Sequence, residues 1–349
     1  MPMRRSCHCG CLLCALSLAA LVAAPLPAQE PVEALKSFSD FQKIDLNRLL
    51  AGDILTERGS LMNFPNGISV QTCFAVPSTA EQTAKRLQSW NPSTYADLKV
   101  YALRSLHTPC ELADFQTLDF NSSQHPIRWL LDKTAATTAT KSDLNLTRDE
   151  AKALTGCMEQ HSEPKKANEC WTKLLFDRAS RFQQKGLAGI LPYEISGNTT
   201  SPGAQLRSML LEQLRITREF ARLLKRIGLL GNEATPSLTP AYYWTLFDAN
   251  HHATLALGAV YLLAAGDQYQ LADVGYYVSN DYYTSATLYD VWPIQVGEKT
   301  GALVWRGDFF AAPMLAYTKG TERIAYGALM LQDIKKEVRC MQDSLKAKQ

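Results

Sequence analysis

The sequence lacks the short motifs that mark the commonest enzyme classes. It contains no nucleophile elbow, glycine-rich phosphate loop, dinucleotide-binding fingerprint or zinc-protease helix pair. Histidine is scarce, at 6 residues, and the one adjacent pair is His251-His252. Neighbouring residues of a strand point to opposite faces, so this pair does not predict a metal site. We therefore expect no cofactor and no metal, and we assign no catalytic residue.

The sequence also lacks an excess of charge of either sign. Its 36 basic residues are set against 34 acidic residues. Residues 1–28 contain Arg4 and Arg5 and no acid, so the rest of the chain carries 34 of each and is formally neutral. Proteins that bind nucleic acids usually carry a basic excess. The composition therefore argues against a nucleic-acid partner and against a polybasic membrane-surface protein.

Long apolar runs are missing after Pro31, where no segment reaches the roughly 20 residues that a membrane-spanning helix needs. The one apolar run, from Cys11 to Leu26, follows two arginines and ends at Leu26-Pro27-Ala28. This pattern is typical of a cleavable secretory signal peptide. We predict that residues 1–28 are such a signal and that the mature protein is periplasmic or extracellular, without a transmembrane segment. An uncleaved membrane anchor is the alternative.

Cysteine is better represented than histidine, with 9 residues. Four lie in the predicted signal, and the remaining five are Cys73, Cys110, Cys157, Cys170 and Cys340. An odd number in an oxidising compartment leaves at least one thiol without a partner in the same chain.

One pair of these cysteines has a specific geometric relation. Helical periodicity predicts helices over 147–160 and 166–186, with a turn at 161–165 between them. If the helices are antiparallel, residues equidistant from the turn lie side by side. Cys157 and Cys170 are centred on position 163.5, inside this turn, so we predict a disulfide between them. Two independent buried thiols are the alternative.

Hydrophobic periodicity predicts strands towards both ends of the chain and helices between them. The predicted strands are 53–58, 68–76, 98–105, 253–264, 269–278, 283–292 and 301–310. The other predicted helices are 32–50, 79–90, 202–228 and 321–346. The last four strands are joined by short turns, as in an antiparallel meander. We predict a single α+β domain over residues 29–349, with an all-helical insertion at about 121–235.

Without this insertion, the order of elements resembles the START-like, or helix-grip, superfamily. The resemblance is carried by the strand Gly301–Phe310, the following helix Ile324–Leu345 and the strand–helix pair Ile68–Trp90. In that superfamily an antiparallel sheet wraps around a long C-terminal helix, and a lipid or another apolar molecule lies between them. The resemblance implies the same wrapping here, with a cavity between the 253–310 meander and the last helix.

The meander strands contain all of the candidate ligand-binding residues. Tyr and Trp join an apolar body to a polar tip, which suits a pocket for an amphipathic ligand, although such residues also fill cores. Arg306 and Asp308 share a strand face, so they form a buried ion pair if that face is concave and a surface pair if it faces solvent. The predicted ligand-binding residues are Tyr276, Tyr283, Trp292, Trp305 and Arg306.

These features favour a secreted or periplasmic binding protein for a lipid or another apolar small molecule. One alternative is a hydrolase-type enzyme that uses cavity carboxylates such as Asp248, Asp290 or Asp308, although no spacing in the sequence supports it. Another is a scaffold protein that binds a partner through the helical insertion. The sequence indicates no oligomeric state.

Overall fold

Every segment with the predicted alternation is a strand in the computed structural model, which describes residues 30–158, 163–195, 197–231 and 238–346. The predicted signal peptide lies outside the described residues. The strands are β1 (Ile54–Arg58), β2 (Gly67–Val76), β3 (Val100–Ser105), β4 (Tyr193–Ile195), β5 (Asn198–Thr200), β6 (Ala241–Ala249), β7 (His252–Ala265), β8 (Gln268–Val278), β9 (Thr284–Val296) and β10 (Lys299–Ala311).

The helices include four that the sequence predicts closely, namely the helix after β2, the hairpin pair and the C-terminal helix. They are α1 (Pro31–Phe38), α2 (Leu46–Leu50), α3 (Ala80–Gln88), α4 (His125–Ala136), α5 (Arg148–Met158), α6 (Pro164–Lys185), α7 (Pro202–Glu212), α8 (Leu214–Glu219), α9 (Ala221–Arg226) and α10 (Thr321–Lys346). None of the described helices is long and apolar enough to cross a membrane.

A large antiparallel sheet organises the chain, in the strand order β1-β2-β10-β9-β8-β7-β6-β3. The four meander strands pair in sequence, as predicted. β2 pairs with β10, which places Phe74 opposite Val304. This pairing joins the N-terminal strands β1 and β2 to the C-terminal meander in one sheet. The helical region lies between β3 and β6 in sequence, and these two strands pair with each other. The predicted α+β class, with an antiparallel sheet and a long C-terminal helix, is confirmed.

Helices cover both faces of the sheet, because side chains alternate between the faces along each strand. On β10, Leu303 and Trp305 pack in one apolar cluster, which includes residues of α1 and of α4 to α9. Ala302 and Val304 pack in the other, with residues of α3 and α10. We call these sides the insertion face and the α10 face. The inserted helices therefore lie on the opposite side of the sheet from α10.

The predicted disulfide is present in the insertion layer. Cys157 of α5 and Cys170 of α6 are bonded, with a Cα–Cα distance of 5.9 Å. The α6 residue next to Cys170 is Trp171, whose indole N–H donates to Thr134 of α4 over 2.9 Å, and both side chains are buried. The disulfide therefore joins α5 to α6, and α6 is itself hydrogen-bonded to α4.

Two predicted helices are interrupted, and the predicted all-helical insertion contains a β-hairpin. The segment 32–50 divides into α1 and α2, because Asp45 caps α2 by accepting from two of its backbone N–H groups. The segment 202–228 divides into α7, α8 and α9. Buried Gln213 at the first break donates to the carbonyl of Ser60 over 3.1 Å. In the hairpin β4–β5, the positive φ of Gly197 (82°) permits the tight turn.

Candidate functional site

Arg306 is the centre of a buried ion cluster on the α10 face. Its Nε and Nη2 atoms donate to the carboxylate of Asp308 over 2.9 to 3.0 Å. Nη2 also donates to Oε2 of Glu337 over 2.8 Å. Arg306 is 5% exposed and Asp308 is 0% exposed. Of the two arrangements that the sequence leaves open, the pair is therefore buried.

Strand and helix periodicity together assemble this cluster. Arg306 and Asp308 point to the α10 face because they alternate with the residues of β10 that face the insertion. Glu337 lies on α10 next to Val338, within the apolar stripe that packs on the sheet. Burial alone lowers the pKa of Arg306, but the charges of Asp308 and Glu337 outweigh it and raise the pKa. The guanidinium thus stays charged with two acidic partners.

Asp273, on the same face, is an acid without a cationic partner of its own. Its Oδ1 accepts a hydrogen bond of 2.9 Å from the hydroxyl of Tyr243, and no described side chain bonds to its Oδ2. Burial raises the pKa of Asp273 to about 7, against the lowering effects of the Tyr243 hydrogen bond and the Arg306 charge. Asp273 therefore titrates near neutral pH.

Cross-strand pairing brings these groups into two neighbouring rows. In the first row, Asp308 pairs with Thr287, and Thr287 pairs with Asp273. The Thr287 hydroxyl donates to Asp308 over 2.9 Å. The second row consists of Phe310, Ser285, Gly275, Gly258 and Tyr243, paired in that order. The rows place two acids and two aromatic rings on one patch of the sheet, and Arg306 bonds to the patch through Asp308.

This patch is partly open, whereas the rest of the α10 face is covered. Tyr243, Asp273, Thr287 and Phe310 are all partly exposed. Further along the same strands, apolar residues of α3 and of the C-terminal half of α10 bury the sheet. The open patch is the part of this face that α3 and α10 leave uncovered. We call it the α10 groove and define it by the following residues: Tyr243, Asp273, Tyr282, Thr287, Arg306, Asp308, Phe310 and Glu337.

Glycines shape the floor of the groove. A Cβ atom on Gly258 would come within 2.2 Å of the Tyr243 ring, so only glycine lets this ring lie over β7 and reach Asp273. A Cβ atom on Gly275 would come within 2.5 Å of the Ser285 hydroxyl. At the other side, the rings of Tyr282 and Phe310 are in edge contact at 5.6 Å. The groove therefore has an aromatic border on each side of its acids.

Four polar atoms in the layer between the sheet, α3 and α10 are buried without a partner among the described residues. They are Nη1 of Arg306, the hydroxyls of Thr72 and Thr83, and the indole nitrogen of Trp90. Thr72 pairs across strands with Arg306, and Thr83 comes from α3. A buried polar group without a partner costs about 1 to 3 kcal/mol. On this side of the sheet, the apolar side chains are therefore buried, whereas several polar groups lack a hydrogen-bond partner.

The other predicted ligand-binding residues lie on the insertion face, so the structure does not bring them together with Arg306. Tyr276 is buried and stacks on Phe182 of α6 at 3.7 Å. Tyr283 is partly buried and lies 6.4 Å from the ring of Tyr193. Their surroundings are those of a packed interface between the sheet and the inserted helices.

Trp292 and Trp305 lie near each other on the insertion face, below α1. The ring of Phe38 is 5.0 Å from Trp305 and 6.3 Å from Trp292. Above them is a shallow cavity of about 210 Å³, whose lining includes Phe38, Gln71 and Arg215. Of the charged residues in its lining, Arg215 pairs with Asp40 at 2.5 Å, and Glu212 accepts from the backbone N–H of Asn63.

The three carboxylates considered for a hydrolase lie far apart in the fold. Asp308 is in the α10 groove. Asp290 is fully buried on the insertion side, where it accepts from Gln268 and Gln270, and burial raises its pKa well above the usual range. Asp248 lies at the end of β6, 3.6 Å from Lys99. They do not form one site.

Asp273, Tyr243 and Glu337 were not predicted as site residues. Each leaves a signal in the sequence, because Asp273 interrupts an apolar strand and Glu337 interrupts the apolar stripe of a helix. An acid at a position facing the core usually has a partner or a function. Tyr243 belongs to β6, which the sequence did not predict as a strand.

Among the described residues, no group of three or more His, Cys, Asp or Glu side chains is arranged to hold a metal ion. Comparisons of the chain with protein-family models, with curated proteins and with solved structures found no match.

Proposed function

We propose that this chain is an exported binding protein and that its ligand, a small apolar or amphipathic molecule, occupies the α10 groove. The observation that carries the proposal is the partial exposure of aromatic and acidic side chains beside α10. On the same sheet, the insertion face is covered by α4 to α9. Ligand sites usually combine apolar and aromatic walls with a few convergent polar groups, as this groove does.

The order of the strands supports the proposed START-like relationship. The first long strand, β2, lies beside the last, β10, and α3 falls between β2 and β3 in sequence. The last helix, α10, then packs across the same face as α3. The insertion between β3 and β6 adds a layer on the opposite side of the sheet from α10.

Export is supported by the Cys157–Cys170 disulfide, because such bonds persist mainly in oxidising compartments. Fractionation of cells that express the full-length chain tests this part of the proposal. We expect the protein outside the cytoplasm, with its N-terminus at residue 29. A cytoplasmic protein that retains residues 1–28 would contradict it.

Ligand binding in the groove is tested with the neutral apolar dye N-phenyl-1-naphthylamine, whose fluorescence rises when it leaves water. We expect a rise with the parent protein. Thr287→Trp places a large ring in the centre of the groove and is expected to remove the rise. The control is Thr300→Trp, an exposed position on β10 outside the groove. No rise with the parent, or an equal rise with both variants, would overturn the assignment.

Native mass spectrometry of the same three proteins identifies a natural ligand. A mass that accompanies the parent and the Thr300→Trp variant, and is absent from the Thr287→Trp variant, is the expected result. Denaturation should release this mass from the parent.

Hydrolysis is a second candidate function, favoured by one observation. Asp273 titrates near pH 7 and lies two strands from Asp308, which is suited to general acid–base catalysis. A panel of p-nitrophenyl esters, phosphates and glycosides tests it. Turnover that Asp273→Asn abolishes would support an enzyme, and turnover that is unchanged in this variant would exclude Asp273 from the reaction.

A further inference from the structure

The charges of the α10 groove do not balance. Arg306 is the one cation of the cluster, and its Nε and Nη2 donors are already engaged by Asp308 and Glu337. Its remaining nitrogen, Nη1, has no acceptor among the described residues, so Arg306 does not pair with Asp273. When Asp273 is ionised, the four groups carry three negative charges and one positive charge. The groove thus lacks a cation at Asp273.

The free oxygen of Asp273 is the place where such a cation would bind. Oδ1 is held by Tyr243, which fixes the carboxylate, while Oδ2 has no bond from the described residues. Asp273 is partly exposed, so a ligand group can approach it. A positive charge at that position would offset the desolvation of the carboxylate.

The aromatic rings at the groove are suited to a cation with organic substituents. Tyr243 contacts Asp273 directly, and Tyr282 and Phe310 form the neighbouring edge contact. Faces of aromatic rings attract ammonium groups, and groups of aromatic rings are a common way to bind quaternary ammonium ligands. A small hydrated metal ion would gain little from such a border.

Apolar side chains are exposed on the N-terminal half of α10 and in the turn before it. Tyr326 is 37% exposed and Leu329 is 60% exposed, and both lie on α10. Tyr317, in the preceding turn, is 85% exposed, and Met314 contacts the hydroxyl of Tyr326. This surface lies on the half of α10 that is not packed in the core. It offers contact area for an alkyl chain or ring whose polar end lies in the groove.

We propose that the ligand of the α10 groove is an amphipathic organic cation, with its ammonium group at Oδ2 of Asp273 among Tyr243, Tyr282 and Phe310 and its apolar part along Tyr326 and Leu329. This inference rests on the proposed binding function. It adds the charge and the orientation of the ligand.

Three probes with the same alkyl chain and different head groups test the inference. Octyltrimethylammonium, octyl glucoside and octanoate are compared by their displacement of N-phenyl-1-naphthylamine from the parent protein. We expect octyltrimethylammonium to displace the dye at a concentration at least tenfold lower than either of the others. Calorimetric titration of octyltrimethylammonium gives its Kd directly.

Two variants distinguish the contribution of the acid to binding from the contribution of the aromatic rings. Asp273→Asn keeps an acceptor for Tyr243 and removes the charge, so the ammonium probe should lose its tenfold advantage while octyl glucoside is unaffected. Phe310→Leu keeps apolar volume and removes one ring, so the ammonium probe should weaken by a few fold. Exposed Asp177 on α6 gives the matched control, because Asp177→Asn changes the net charge equally and lies outside the groove.

The outcomes distinguish the inference from the function on which it rests. If the dye binds to the parent and the three probes displace it equally, the proposal that the ligand is an organic cation is wrong. The proposed binding function is then still supported. Preferential displacement of the dye by octanoate would contradict the proposed positive charge of the ligand in the same way. If the dye does not bind and calorimetry detects no ammonium binding, both proposals fail.

Discussion

Asp273 and Asp308 face the same side of the sheet in one row of paired residues, yet their surroundings differ. Asp308 is completely buried and has a bidentate partner in Arg306. Asp273 is more exposed and has a single neutral donor, Tyr243. Burial raises the pKa of both carboxyls, but only at Asp308 does a directly bonded cation, Arg306, oppose the rise. The residue with less burial is therefore the better candidate for function.

The raised pKa of Asp273 predicts a pH-dependent cost in stability. Its pKa is about 7 in the folded protein, and the unfolded value is about 3.9. Between these values the folded state binds more protons than the unfolded chain, so this contribution to stability falls as pH rises. Asp273→Asn cannot ionise and escapes the loss. We expect its advantage over the parent in the free energy of unfolding to grow by about 3 kcal/mol from pH 5 to pH 8.

Urea unfolding of both proteins at the two pH values measures this difference. Asp177→Asn should follow the parent at both, because its side chain is exposed on α6. An advantage of Asp273→Asn that is the same at pH 5 and pH 8 would show that Asp273 is ionised throughout.

Asn145 connects the inserted helices to the loop that carries Tyr282. Its buried amide donates to the carbonyls of Val278 and Tyr282 over 3.0 and 2.8 Å. Asn145→Ala leaves both carbonyls short of a donor, and we expect a loss of about 2 kcal/mol in the free energy of unfolding. Exposed Asn121→Ala is the control. Equal midpoints for the two variants in urea would contradict this role.

At the scale of elements, the α5–α6 hairpin shows how far local pattern can predict structure. Capping and breaker residues predict both helices and the turn, and the symmetry of Cys157 and Cys170 about the turn then predicts the bond. All of this information lies within about forty residues of sequence. The structure confirms the predicted bond. The prediction succeeds because it needs no contact with a distant part of the chain.

The hairpin disulfide closes a loop of 13 residues in the unfolded chain. Such a bond stabilises mainly by restricting that chain, and a loop of this size gives about 3 kcal/mol. The double variant Cys157→Ala/Cys170→Ala should therefore unfold in urea with about 3 kcal/mol less stability than the oxidised parent. Cys340→Ala, which removes a free cysteine, is the control. Dithiothreitol should remove most of the difference, and an unchanged difference would contradict the loop argument.

Other elements were predicted less well because distant residues determine them. The stripe over 202–228 is continuous in sequence, but Gln213 turns to Ser60 and ends α7. β6 follows a proline-rich segment, and its Tyr243 is accommodated only because Gly258 faces it on β7. Periodicity within one segment contains no information about such partners.

At the scale of the whole molecule, the sequence predicts the α+β class and the meander but not the division of the sheet into two faces. Arg306 and Trp305 are neighbours in sequence, and alternation places them on opposite faces with different helices above them. To predict which face is open, one must know where α10 and the inserted helices lie, and the sequence does not give their positions. For this reason the predicted ligand-binding residues were gathered from both faces.

The two layers share one sheet, which predicts that they unfold together. The inserted helices have no separate core, because Phe182 of α6 stacks on Tyr276 of the sheet and Phe220 packs at 5.6 Å from Trp305. Val304 contacts only the opposite layer, with α10. Val304→Ala should lower the free energy of unfolding by about 2 kcal/mol. If the molecule unfolds as one unit, α6 should lose as much protection as α10.

Hydrogen exchange measured by mass spectrometry follows the slowest amides of α6 and α10 in the same sample. We expect Val304→Ala to speed exchange in both helices by the same factor, since exchange at these amides requires opening of the shared sheet. Trp305→Ala, on the other face of the same strand, should act on both helices in the same way. Faster exchange in α10 with α6 unchanged would show that the insertion is a separate folding unit, and the predicted single domain over 29–349 would then be wrong.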